Sequence, residues 1–286
     1  RDAATVSIAW RDLANAEHRM ASLATGAGVL RREGSQLRFR HQLLQEFYVA
    51  RHLNDALTKG ESSLLDATWG SDRPLWERSG WKQPFLLLAE YQHTAIPDLV
   101  RTLVRVQPEV AAAVWEQTRK RAPAVLSDEL AEELRVELLA SMLPAQPSAD
   151  FPQREVAFGR AIGQMRRLDG SPMDRRRGVW GWYDGTTNRS VVDIDWVTIP
   201  AGPFIYQGNF EELNAFRISG YPITVSQFRA FVDAPDGYAQ DRWWAGFPEE
   251  ARSPWQPEWP FDNHPCEYVD WWQARAFCRW LSDRLG

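Results

Sequence analysis

The sequence predicts a multidomain chain, α-helical first and α+β at its C-terminal end, and three observations predict it. Apolar residues recur at helical spacing through successive segments up to Met142, with breaks at Pro97, Pro108 and Pro123. Ten of the fifteen Trp lie after Gly178, so the composition changes along the chain. The stretch from Trp196 to Val232 then places short apolar runs, a Pro-Ala-Gly-Pro turn and a capped helix in succession. A length of 286 residues with 44% hydrophobic and 25% charged content is ordinary for a chain of two or three globular modules.

Residues 1–32 alternate helical signals with Thr25-Gly26-Ala27-Gly28. Val29-Leu30 and Leu37-Arg38-Phe39 across Arg32-Glu33-Gly34-Ser35 read as strand, turn and strand, the wing of a winged helix. His41 to Leu57 then spaces Leu43, Leu44, Phe47, Leu53 and Leu57 as one helical stripe. From Ile96 to Met142 the faces Leu99-Leu103-Val104, Val110-Val114-Trp115 and Leu130-Leu134-Leu138-Leu139 follow one another, the last behind a Ser127 cap. This region is solenoid-like, although no strict repeat is present. Pro144 to Ser148 signals a linker, and Phe151 to Met165 one more helix. Leu168 to Asn188 reads as loop, with Trp180, Trp182 and Tyr183 expected to pack on the C-terminal module rather than form an exposed patch.

In that module Val197 and Ile199 are expected on one face, with Pro200 to Pro203 as the turn of a hairpin and Phe204-Ile205-Tyr206 as its return. Thr224 and Gln227 have capping-box spacing, and Phe228, Phe231 and Val232 supply the buried stripe of the helix they open. Asp270 and Gln273 open a second helix with Ala274, Phe277, Cys278 and Leu281 on one side and Leu285-Gly286 as its end.

Ile199-Pro200-Ala201-Gly202-Pro203-Phe204, Tyr221 to Thr224 with Gln227-Phe228 and Phe231-Val232, Trp243-Trp244, Asn263-His264-Pro265 and Val269 to Leu281 stand in an order that resembles the formylglycine-generating-enzyme-like (sulfatase-modifying factor) family. The resemblance implies a variant of the C-type lectin fold over residues 191–286, of which only the first part of the family's module is present. Enzymes of that family use a copper-binding cysteine pair in the later part of the module. Many relatives lack the pair and serve as ligand-binding scaffolds. The run from Phe204 to Phe216 without a long insert, together with Asp241-Arg242-Trp243-Trp244, resembles modules fused to bacterial NACHT proteins, some of them variable proteins of diversity-generating retroelements. Trp196, Trp243, Trp271 and Trp280 are expected to be buried and to stiffen the scaffold.

A second resemblance rests on Leu37 to His41, Leu44-Gln45-Glu46-Phe47 and Ala50 to Leu53, which are similar to the motif ending the winged-helix region of NACHT-type STAND ATPases. Trp69, Trp76 to Trp81 and Phe85 to Ala89 resemble the helix that follows there. The resemblance makes 1–59 a winged-helix remnant, 60–143 a helical sensor or connector and 144–190 a linker and packing segment. It assigns His41 to sensing a nucleotide phosphate, and an imidazole can donate to such an oxygen. ATP or ADP would belong to the parent protein, on an upstream NTPase domain, with a homo-oligomer possible on activation. No G-x-x-x-x-G-K-[ST] loop occurs in the chain, so phosphate cradling is not expected here.

A net charge of -5 gives no global attraction to nucleic acid, and Arg166-Arg167 with Arg175-Arg176-Arg177 read as a solvated basic linker. There is no membrane-length apolar run and no signal peptide, which places the protein in the cytoplasm, and the missing initiator Met suggests a fragment. Cys266 and Cys278 form no C-x-x-C pair, and Cys278 is expected on the core side of its helix. His264 is expected to fix its loop, and no partner stands at metal-ligand spacing from it. Glu211-Glu212, Asp236, Asp241 and Glu249-Glu250 read as solvated turn charges. The expected function is therefore non-catalytic ligand sensing, with no catalytic or metal-binding residue. Its rivals are an oxidase acting on a peptide cysteine and a structural scaffold in which His41 is purely structural.

Overall fold

The computed structural model describes residues 8–59, 81–90, 95–142 and 151–285. Trp69, Trp76 and the Pro144 to Ser148 linker lie outside the described residues. The chain divides into two compact units, Arg1–Leu130 and Ala131–Gly286.

In the first unit α1 (Asn15–Gly26) opens where Glu17 accepts from the Ala14 amide at 2.8 Å. It ends at Gly26, and Gly28, at φ +76°, turns the chain into the sheet. β2 (Leu30–Glu33) and β3 (Gln36–Phe39) pair antiparallel, Leu30 opposite Phe39 and Glu33 opposite Gln36, around Gly34 at φ +61°. β1 (Ile8–Ala9) pairs with the other edge of β3. The strand, turn and strand read from the sequence are thus present, with a third short strand added.

Helix α2 (Gln42–Thr58) buries Ala50, Leu53 and Ala56 and packs on α3 (Lys82–Ala89). Leu43 and Phe47, expected in the buried stripe, are 62% and 42% exposed. Complete burial on α2 is confined to its second half, where two alanines allow close helix approach. α4 (Ile96–Val106) and α5 (Pro108–Arg121) carry proline in their first turns, where no intrahelical N–H is lost. The prolines that break the sequence pattern therefore mark helix starts, and Pro123 begins a short 3-10 turn after α5. Leu99, Leu103, Val104, Val110, Val114 and Trp115 are all buried, as their spacing predicts.

The second unit takes in nearly all of α6 (Asp128–Met142), whose Leu130 amide donates to Ser127 Oγ at 3.2 Å, and α7 (Phe151–Gln164), with Ala157, Phe158, Ala161 and Ile162 at its core. The expected loop at 168–188 instead holds β4 (Gly181–Asp184), paired with β5 (Arg189–Val192). Asp184 organises their turn by accepting from the Thr186 amide at 2.9 Å and the Thr187 hydroxyl at 2.5 Å.

The expected hairpin between residues 197–199 and 204–206 is not formed. β6 (Trp196–Ile199) pairs with β9 (Phe216–Ser219), Trp196 opposite Ser219. β7 (Gly202–Tyr206) turns back onto β8 (Asn209–Leu213). Gln207 and Gly208 both have positive φ, 50° and 85°, the two-residue geometry that matches strand twist, and this turn prevails over Pro-Ala-Gly-Pro.

The core of the unit lies between α8 (Val225–Asp233) and α9 (Trp271–Leu285), where Phe231 and Trp280 centroids are 5.2 Å apart and Phe228 and Trp255 4.9 Å apart. Trp243 and Trp280 are buried at 6% and 0%, whereas Trp196 and Trp271, expected inside, are 37% and 59% exposed. Trp271 is the first residue of α9 and meets the partly buried Trp272 edge to face, with ring centroids 4.5 Å apart.

Candidate functional site

His41 is the N-cap residue of α2, in extended conformation (φ -129°, ψ 135°), with its side chain exposed and making no cap bond. The strand end at Phe39 and the helix start at Gln42 fix its place. Its carbonyl accepts from the Leu44 and Gln45 amides at 3.1 and 3.3 Å, so the backbone is committed while the ring is presented outward.

In the second unit the reading of the arginines as a solvated linker is overturned. Arg166 pairs with Asp262 at 2.9 Å, Arg167 with Glu132 at 3.2 Å, Arg176 with Asp174 at 2.8 Å and Arg177 with Asp195 at 2.8 Å. Asp174 is local, but Glu132, Asp195 and Asp262 come from other parts of the unit, and the Trp180 ring lies 5.2 Å from the Arg175 guanidinium. The hydrogen bonds that Arg176 donates to Asp174 hold the Arg176 proton more firmly than usual. Asp262, 3% exposed, also accepts from Arg229 of α8. Burial pushes the neighbouring Asp233 carboxyl up, against the lowering influence of Arg229 and Arg166.

The segment carrying Asp262 is clamped to α7. Asn263 Nδ2 donates to Gly159 O and to Asp174 Oδ2, both at 2.9 Å, and the Asp262 amide donates to Gly163 O at 2.6 Å. A Cβ at Gly163 would overlap Asn263 Oδ1, so the close approach depends on that glycine. On the opposite side β4 lies against the start of α8. Thr224 Oγ1 donates to Val179 O at 2.8 Å, Gln227 Nε2 to Gly178 O at 3.1 Å and to Asp193 O at 2.6 Å. The capping box read from Thr224 and Gln227 is present, and Gln227 also ties the box to two neighbouring loops. Tyr183 packs against the α8–α9 core as expected, while Trp180 and Trp182 are half-buried.

Two sizeable concavities lie among the described residues of this unit. One is an apolar groove of about 460 Å³ beside β6, β9 and α9, lined by Trp196, Ile218, Phe277 and both cysteines. Cys278 and Ala274, expected on the core side of α9, line this open groove instead, because the buried face runs through Gln273, Ala276, Phe277, Trp280 and Leu281. Burial pushes the Cys266 thiol up to about 12, and desolvation raises that of Cys278 although the residue as a whole is exposed. Among the described residues no group of three or more His, Cys, Asp and Glu could hold a metal ion.

The other concavity, about 620 Å³, opens between α7 and the segment from Trp259 to Pro265. Glu155, Val156 and Arg160 form its helix wall, Trp259, Phe261 and His264 face them, and Arg176 and Met142 complete the lining. His264 Nδ1 lies 2.9 Å from Pro265 O and its carbonyl accepts from the Val225 amide at 2.8 Å, so it fixes the loop as expected. Asp236 and Asp241 are paired, to Arg284 and Arg252 at 2.7 Å each, and Glu211 and Glu212 stand exposed on β8.

The sequence reading missed Gly159, Gly163, Asp174 and Asp262. The four-residue spacing of the two glycines was the one available signal of a helix approached closely by another backbone. Among the described residues no helix is long and apolar enough to cross a membrane. No curated protein and no solved structure matches the chain. Residues 186–286 match the family model of the sulfatase-modifying factor enzyme 1-like domain, and with it the C-type lectin-like fold.

Proposed function

We propose that the chain is the non-catalytic, ligand-sensing C-terminal portion of a bacterial STAND protein of the NACHT type. In this reading 1–59 is the end of a winged-helix module, 60–143 a solenoid-like sensor or connector, and 191–286 a ligand-binding scaffold. The observation that carries it is the state of the chemical groups in the matched domain. Its two cysteines stand in the wall of an apolar groove, and Asp262 and His264 are committed to holding segments in place. A scaffold fixed in this way can bind without reacting, and binding shifts a switch only if the two states differ in affinity. Support for the nucleotide end comes from His41, whose exposed ring stands at a helix N-terminus directly after a strand.

The test uses the full parent protein. His41→Ala should weaken ADP retention by roughly tenfold or more, the scale of one charge-assisted hydrogen bond. A nucleotide-exchange assay with a binder of the C-terminal domain should show a changed rate. Unaltered ADP affinity would make His41 purely structural, and an unchanged rate with a bound ligand would remove the coupling.

A further inference from the structure

We propose that the cleft between α7 and the Trp259 to Pro265 segment binds a small monocarboxylate with an aromatic or apolar body, and that α7 senses its occupation. The inference rests on the ligand-binding reading of the C-terminal domain and names the chemistry of its ligand. The volume, about 620 Å³, lies within the range of about 300 to 1,000 Å³ typical of small-molecule sites. Trp259 is 43% exposed and its ring centroid lies 6.3 Å from that of His264, so a large planar face is left open beside Phe261. Such a face takes the apolar body of a ligand.

The charged groups on the lining select the head group. The Arg160 guanidinium lies 5.9 Å from the Phe261 ring, next to where a body stacked on the rings would end. Arg176 gives Nε and Nη2 to Asp174 at 3.0 and 2.8 Å, which fixes its fork and leaves Nη1 outside that pairing. A planar guanidinium held in this way suits a carboxylate oxygen. Glu155 on the helix wall repels a doubly charged phosphate about twice as strongly as a singly charged carboxylate, because the repulsion scales with the ligand's charge.

The same cleft has a mechanical consequence. Its rings belong to the segment whose Asp262 and Asn263 hold α7 through Gly163 and Gly159. A ligand spanning from those rings to Arg160 adds a tie between the same two elements, so binding should reduce opening of the helix.

N-acetyl-phenylalanine and its uncharged amide, titrated into the intact 286-residue chain by NMR, test the proposal. The acid should bind at least about tenfold more tightly than the amide, as expected for a charge-assisted hydrogen bond. Arg160→Gln should bring the acid to the level of the amide, and Trp259→Ala should weaken both. Both residues are exposed, and a thermal melt checks that the variants fold. Hydrogen exchange over Phe151–Gln164 should slow on binding of the acid. Equal affinity of acid and amide, or no binding of either at millimolar concentration, would overturn the site. Selective binding of the acid without slower exchange would overturn the sensing by α7. Selective binding with slowed exchange but no effect on nucleotide release in the parent protein would leave the cleft standing and remove the coupled function instead.

Discussion

Gly159 and Gly163 occupy the same helix and the same face, yet a methyl group added at each should act in opposite directions. At Gly163 it meets Asn263 Oδ1, on an amide already held by Asp174 and Gly159 O, so the side chain cannot yield without losing both bonds. Gly163→Ala should therefore destabilise the chain by about 1 to 3 kcal/mol, the range of overpacking. At Gly159 the nearest atom to a Cβ would be Met142 Cε at 3.6 Å, an ordinary contact with a flexible tip. Gly159→Ala should then gain up to about 1 kcal/mol from helix propensity. Urea denaturation of the two variants beside the wild-type chain checks the signs, and a Gly163→Ala chain as stable as wild type would show that the loop is not seated on the helix. Only part of this scale was legible in the sequence. Ser127, Thr224 and Asp270 act over three residues, so spacing reveals their bonds. Asn263 reaches Gly159 across 104 positions, and no local pattern encodes that pairing.

The β-strands show the same division at the scale of elements. The strands at 197–199 and 204–206 were legible, but β8, β9 and the partner of each strand were not, since pairing depends on which turn closes first. Two turns competed, and Gln207-Gly208 closes β7 onto β8, which leaves β6 to pair with β9. The resulting β7–β8 ribbon is exposed along almost its whole length, Ile205 at 67% and Phe210 at 81%, so little tertiary packing supports it. Its turn must therefore carry much of its order. Gly208 has φ +85° with open space around it, so Gly208→Ala meets backbone strain and no clash. The substitution should raise amide exchange across 202–213 about fivefold, which corresponds to roughly 1 kcal/mol, while the melting temperature of the chain stays the same. A drop in the melting temperature would show instead that the ribbon is part of the cooperative core.

On the scale of the whole chain, the region matched by family, 186–286, and the compact unit, Ala131–Gly286, differ by more than fifty residues at their N-terminal side. The difference has energetic consequences. A chain starting at Thr186 would remove β4, the partner of β5, and with it Val179 O and Gly178 O, which accept from the buried Thr224 and Gln227. It would also remove Arg166 from the buried Asp262, and both Gly159 O and Asp174 from Asn263. A buried polar group left short of a partner costs about 1 to 3 kcal/mol, and a domain is stable by only about 5 to 15 kcal/mol. Three such groups, with the half-buried Asn263 beside them, are enough to consume most of that margin even where Gln227 keeps Asp193 O and Asp262 keeps Arg229. Near-UV circular dichroism during heating should therefore show a cooperative transition for a fragment of residues 131–286 and none for residues 186–286. Cooperative melting of the shorter fragment within a few degrees of the longer one would mean that α7 and β4 merely rest on a self-sufficient domain. In that case the clamp could not transmit anything from the cleft.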